Sequence, residues 1–456
     1  MDTAVFSVTS RHLSTIESIV LEGVLQGQKY GEIAAESGYS SEYLKNNVGP
    51  KLWKLLSIAL GEKVGKKNLV AVLTRRSQIV EAASKHSSLL QEQFASPANS
   101  SNFQVTRPLP EIAIESPRKL ALPDSAFYIK RPPIEEACCR KLEESGTLIR
   151  IEAPNQMGKT SLMLFCVAHA RRLGYRTVTL SLQRADRATL TNLDKFLRWF
   201  CTAVSHQLGF SEHPTGENWN ELYGSKSNCT NYFEKWILSS DDLPLILALD
   251  QVDEIFSQPT IADDFFSLLR SWYEEANYGS SNSKLWQRLR LLIVHSTEIY
   301  VPLEINRSPF NVGLTVNLRP FTKEQVSDLA LLHRVEFPES QLDDLMKLLG
   351  GHPYMVRLAL FYLSQRTVDW EEFVDTVATD AGIYANHLHK YLEYLKAYPE
   401  LARAYQHVVK TDDLVELDQT SAFKLNSMGL VNLRGNAVTN SCELYRYYFK
   451  SQLENF

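Results

Sequence analysis

A lysine and a threonine side by side after a glycine could hold phosphate and a metal ion, and this chain places that pair just beyond an apolar run. Residues Leu148–Leu162 read LIRIEAPNQMGKTSL. Within them Ala153-Pro154-Asn155-Gln156-Met157-Gly158-Lys159-Thr160 has the spacing of a phosphate-binding loop that ends on the first turn of a helix. Alanine replaces the opening glycine of that pattern. The backbone tolerates this if residue 153 needs only negative φ, while Gly158 lets the loop N–H groups close on the phosphates. Lys159 then pairs with the β and γ phosphates, the Thr160 hydroxyl binds Mg²⁺, and the helix start that runs through Ser161 adds its positive dipole end. ATP or ADP with Mg²⁺ is the expected ligand.

A second group of residues fits the same chemistry. Leu245–Leu249 is continuously apolar and predicts a buried parallel strand. Asp250 follows at its carboxyl end, where ligands gather in an open α/β sheet, so it is expected to hold the Mg²⁺ through water beside Thr160. The next residue is Gln251. An amide can position a water but cannot accept its proton, so hydrolysis is expected to be slow or absent. Glu254 is the substitute carboxylate, and Asp253 is either secondary to the metal or an acid at a helix start. Leu291–His295 predicts a further strand that ends in Ser296-Thr297-Glu298. One of His295, Ser296 and Thr297 is expected to sense the phosphate, although a polar turn at a strand end reads the same way.

These groups need a sheet to carry them, and Arg176–Leu182 (RTVTLSL) supplies another strand after the helix that follows the loop. Taken with Tyr128-Ile129-Lys130-Arg131-Pro132-Pro133-Ile134-Glu135, LDQVDEIF, HSTEIYVPLEINRSPFNVGL and Gly350-Gly351-His352-Pro353-Tyr354, the loop resembles the bacterial AAA-like ATPases of the STAND class over residues 115–456. That resemblance implies that Arg131 and Glu135 lie beside the base and ribose. It also implies that Gly351 and Pro353 form the lid's glycine-x-proline turn on the adenine, and that a winged helix packs on the nucleotide core. Gln251 departs from the acidic residue usual there. On the residues alone, Gly350–Pro353 is a helix stop and restart, with Pro353 suited to a first turn.

At 456 residues the chain exceeds one core. The expected fold is an α/β P-loop NTPase core with a parallel sheet of ASCE type, a helical lid and a C-terminal winged helix, preceded by an all-α helix-turn-helix domain. The expected boundaries are 1–80 for the helix-turn-helix domain, 81–124 for a flexible linker rich in Ser, Pro and Asn, 125–320 for the core, 321–396 for the lid and 397–456 for the winged helix. In the last segment Met428–Leu433 and Gly435–Val438 predict two short strands around Arg434-Gly435.

No window holds the apolar length of a membrane span, and the N-terminus MDTAVFSVTSRHLST lacks a signal-peptide pattern, so a cytoplasmic protein without membrane contact is expected. Six cysteines without metal-site spacing read as reduced packing residues. Net charge is -5, yet residues 45–76 carry eight basic side chains against the single acid Glu62. Just upstream, Tyr30–Val48 has helix-turn-helix rhythm, with Ile33 and Ala34 inward, a turn at Gly38 and a second helix starting at Ser40 or Ser41. Ser40, Ser41, Tyr43, Lys45 and Asn46, with Lys51 and Lys54, are candidate nucleic-acid contacts. Residues 10–75 are similar to the N-terminal helix-turn-helix domain of vWA-MoxR-associated systems, which leaves both DNA and protein open as partner. The expected function is an ATP-binding signalling switch whose nucleotide state controls homo-oligomer assembly or partner engagement. The alternative is a DNA-binding regulator or an ATP-dependent loader of a partner protein on DNA. If subunits share a site, Arg270, Arg288, Arg307 and Arg319 are the candidate arginine fingers.

Overall fold

The computed structural model describes residues 15–25, 28–37, 40–60, 65–66, 69, 120–210, 219–220, 222–279, 281–298 and 311–454. They fall in two compact units, Met1–Arg107 and Pro108–Phe456. The expected linker lies outside the described residues as far as residue 119, as does Arg307.

The larger unit is built on five parallel strands: β1 (Leu148–Ala153), β2 (Arg176–Ser181), β3 (Leu245–Asp250), β4 (Leu289–Ser296) and β5 (Leu314–Asn317). Their order across the sheet is β2-β3-β4-β1-β5. Side chains alternate between faces along each strand. Leu245, Leu247 and Leu249 therefore join the aromatic layer of Phe196, Phe200, Phe233, Phe265 and Trp272 on one face. Ile246 and Ala248 meet Leu162, Met163 and Cys166 of the helix Lys159–Arg172 on the other. Full burial of each such large apolar side chain contributes about 1.5–3 kcal/mol. Of the expected strands, Leu291–His295 starts two residues earlier and ends at Ser296, while the one from Arg176 stops at Ser181, where the chain enters the 3-10 turn Leu182–Arg184.

The C-terminal half begins with the helices Lys323–Leu332, Glu339–Leu349, Pro353–Ser364 and Trp370–Thr376. A full capping box, Thr322 with Gln325, starts the first of them. Gly350 (φ +60°) and Gly351 (φ +70°) end the second, and Pro353 opens the third. Only glycine fits at 351, since a Cβ there would sit 2.2 Å from the Phe321 carbonyl oxygen. The helices Ala385–Ala397, Pro399–Val409, Gln419–Ser427 and Glu443–Gln452 follow, with a small antiparallel sheet in the order β6 (Val415–Glu416), β8 (Ala437–Asn440), β7 (Val431–Arg434). The hairpin differs from expectation by a short shift. Gly429 lies at φ +76° and delays β7 to Val431, and Arg434 pairs with Ala437 so that Gly435-Asn436 makes the turn. One apolar cluster extends from Phe321 to Leu453 through this whole half.

The N-terminal unit has the helices Thr15–Leu25 and Tyr30–Ser37, then Ser41–Tyr43 running through a π turn, Leu44–Val48, into Gly49–Leu60. Val20, Ile33, Leu44, Leu52 and Leu56 are buried together, with Ala34 at their margin. Trp53 Nε1 donates to Tyr30 Oη at 3.0 Å. Pro50 falls in the first turn of the helix Gly49–Leu60, where proline is tolerated. Among the described residues, no helix is long and apolar enough to cross a membrane.

Candidate nucleotide-binding site

Parallel pairing aligns the carboxyl ends of the strands, with Ala153 opposite Ser296 and Ser181 opposite Asp250. Each chemically interesting side chain leaves the sheet at that edge. The loop after β1 has positive φ at Gln156 (+62°) and Gly158 (+92°) but not at Ala153, so alanine is accommodated as the sequence requires. Left-handed backbone at a non-glycine residue costs about 1–2 kcal/mol. Gly158 caps the helix Lys159–Arg172, and a Cβ on it would meet Arg131 Nη2 at 2.5 Å.

Thr160 Oγ1 donates to Asp250 Oδ2 at 2.9 Å, and Asp250 Oδ1 accepts from the Gln251 amide N–H at 3.0 Å. Burial pushes the Asp250 carboxyl upward. Lys159 Nζ turns back to donate to the carbonyls of Pro154 (2.7 Å) and Ala153 (3.0 Å). Burial lowers its ammonium to about 8, outweighing the pull of Asp253, Glu298 and Asp250. Burial therefore disfavours the charged form, and a phosphate anion beside the ammonium would favour it. The Thr160 hydroxyl and the Asp250 carboxylate are hard oxygen donors of the kind Mg²⁺ takes, so these residues fit the metal.

Gln251 occupies left-handed backbone (φ +54°), and its Oε1 accepts from Ser181 Oγ at 2.5 Å. Asp253 Oδ1 accepts from the Ser296 N–H at 2.9 Å, tying the segment after β3 to the end of β4. Glu254 lines the cleft beside it. Thr297, expected at the phosphate, turns the other way: its hydroxyl donates to the Ser427 carbonyl at 2.7 Å. His295 and Ser296 remain at the cleft, with His295 Nε2 lying 3.3 Å from Glu152 Oε2.

The cleft measures about 1030 Å³. Asn155, Gln156, Lys159, Thr160 and Ser161 of the phosphate loop line it together with Phe127, Ile129, Arg131, Pro353 and Tyr354. Ala153 and Met157 instead border a separate cavity of about 1000 Å³ behind the loop. Glu135 is also displaced from its expected place at the ribose. It is buried, and its Oε1 accepts from the Arg131 N–H (2.8 Å) and the Tyr128 hydroxyl (3.2 Å), so it shapes the wall without lining it. Arg131 Nη2 donates to the Met157 carbonyl at 2.8 Å.

Sequence reasoning missed the contribution of the helix Ala385–Ala397. Lys390 and Tyr391 line the cleft, and Tyr391 Oη donates to Glu298 Oε1 at 3.0 Å. His387 lies 3.2 Å from Gln156 Oε1 through Nδ1 and 2.8 Å from Tyr445 Oη through Nε2. Among the candidate fingers, Arg270 pairs with Glu274 and Arg288 with Asp242, whereas Arg319 is exposed. On the N-terminal unit Ser41, Lys45 and Lys51 are exposed, and Lys54 lies on the helix Gly49–Leu60.

A model of the AAA-like domain family matches residues 116–451. A model of the vWA-MoxR associated protein N-terminal HTH matches residues 1–76. Among solved structures, the Walker-type ATPase PABY2304 of Pyrococcus abyssi is similar over 71% of this chain and 96% of its own, at 12% identity and a TM-score of 0.51, which shows the fold. Cdc6p from Pyrobaculum aerophilum is matched over 73% of this chain and 98% of its own (15% identity, TM-score 0.38). A STAND protein with a tetratricopeptide repeat sensor from Pyrococcus horikoshii is matched over 74% and 44% (16% identity, TM-score 0.32). No curated protein matches the chain.

Proposed function

The chain belongs to the AAA-like domain family, and from that premise we propose that it is an ATP-operated switch, in which nucleotide at the phosphate loop sets the position of the C-terminal winged helix. The observation that carries this reading is direct packing of that C-terminal part on the loop. Gln156 contacts His387, which contacts Tyr445; Thr297 reaches Ser427; and Gly429 abuts Pro154 so closely that an added Cβ would lie 3.2 Å from its ring. A phosphate group that reshapes residues 154–156 must then disturb these contacts.

In this reading Lys159 pairs with the β and γ phosphates, while Thr160 and Asp250 hold Mg²⁺. The ion, when bound, neutralises charge on the phosphate oxygens. Gln251 leaves the attacking water without a proton acceptor at that position, and its carbonyl is already engaged by Ser181, so turnover is slow. A displaced winged helix frees surfaces for self-assembly or for a partner, and the N-terminal unit recruits protein or DNA. If the chain instead regulates or loads a partner on DNA, the full-length protein should bind duplex DNA with an affinity that falls steeply with salt.

The test is to load purified protein with ATP and Mg²⁺, remove free nucleotide and identify what stays bound, with Lys159→Ala as the blank. Wild type should retain nucleotide, mostly as intact ATP, and the variant should retain none. Equal retention by both proteins would overturn the assignment of the loop.

A further inference from the structure

Glu298 follows β4 by two residues, and its carboxylate is aimed into the phosphate loop. Oε1 accepts from the Asn155 backbone N–H at 3.0 Å, and the Asn155 side-chain amide donates to Oε2. Tyr391 Oη donates to Oε1 at 3.0 Å, and Lys390 Nζ stands 3.6 Å from Oε2. The Glu298 side chain is only 12% exposed. Its charge also acts on the Lys159 ammonium, the group that serves the β and γ phosphates. A carboxylate that accepts from both the backbone and the side-chain amide of Asn155 takes up phosphate-loop donors that an anion would otherwise use.

We propose that Glu298 is a specificity-determining residue that makes this arrangement selective for a nucleoside diphosphate over a triphosphate, and that a γ-phosphate binds only by displacing it. The inference rests on nucleotide occupying the cleft as proposed above. Two anions cannot share the Asn155 donors, and like charges forced together in a partly buried site repel. A diphosphate ends short of the carboxylate and leaves it in place. A triphosphate drives it out, and with it goes the Tyr391 contact that holds the helix Ala385–Ala397 at the cleft. The binding step thereby carries the difference between the two nucleotides to the C-terminal half.

Equilibrium dialysis of full-length protein with labelled ADP and a non-hydrolysable ATP analogue, both with Mg²⁺, measures this selectivity. Wild type should favour ADP by about tenfold or more, the factor that corresponds to about 1.4 kcal/mol. Glu298→Gln keeps the shape, removes the charge, and should bring the ratio to about one or reverse it. Tyr391→Phe removes one hydrogen bond from the carboxylate and should move the ratio the same way by a smaller factor, which keeps the proposal testable if the first variant does not fold. Unchanged ratios in both variants, with both nucleotides bound, would overturn the role of Glu298. Loss of all nucleotide binding by wild type would instead overturn the switch reading on which it rests.

Discussion

Gln251 is where the chemistry of this chain departs most from that of an efficient hydrolase. Its position at the end of β3, next to Asp250 and bonded to Ser181, is where a carboxylate would polarise water. Gln251→Glu should therefore raise steady-state ATP turnover by about 10²-fold, the lower range of general-base effects. No gain would mean that Asp253 or Glu254 already serves, and that Gln251 does not account for slow turnover. Local spacing made much of this legible in the sequence: the loop, Thr160 and Asp250 lie where a strand-loop-helix and a strand-acid pattern put them. Thr297 departs from its expected place because the direction of a side chain at a strand end depends on what packs against it, in this case the carbonyl of Ser427.

At the scale of elements, three histidines of the C-terminal half sit where water is scarce, with His333 fully buried and His352 and His387 half-buried. Burial lowers His333 and His352 to about 4 and His387 to about 3, from an ordinary 6.5. The neutral ring of His387 suits its partners, since Nδ1 can donate to Gln156 while Nε2 accepts from Tyr445. Below pH 6.5 the unfolded chain takes up protons that the folded chain refuses. Stability is then complete above that pH and is lost as pH falls toward 4, by up to about 1.4 kcal/mol per pH unit for each histidine. The urea midpoint should drop between pH 7 and pH 5, and less steeply in His387→Gln; identical midpoints at the two pH values would refute the burial argument. Strand alternation and the glycine-proline punctuation at 350–353 were readable from the sequence because they are local. The partners of His387 were not, since Gln156 lies 231 residues away and only tertiary packing joins them.

For the molecule as a whole, the larger unit places a phosphate loop under a C-terminal half that shares one apolar cluster from Phe321 to Leu453. In the proposed switch, a small change at residues 154–156 or 298 would pass into this shared cluster and become a change in a large surface. Length announced more than one core, and the family resemblance implied that the C-terminal part packs on the nucleotide core, but which residues make that contact had no local signature in the chain. The most direct measurement of nucleotide control is amide hydrogen exchange of the full-length protein loaded with ADP or with a non-hydrolysable ATP analogue. The triphosphate should speed exchange across Ala385–Ala397 and the β7–β8 hairpin relative to ADP, and Lys159→Ala should show no difference between them. Identical exchange in those elements, with both nucleotides demonstrably bound, would contradict the switch.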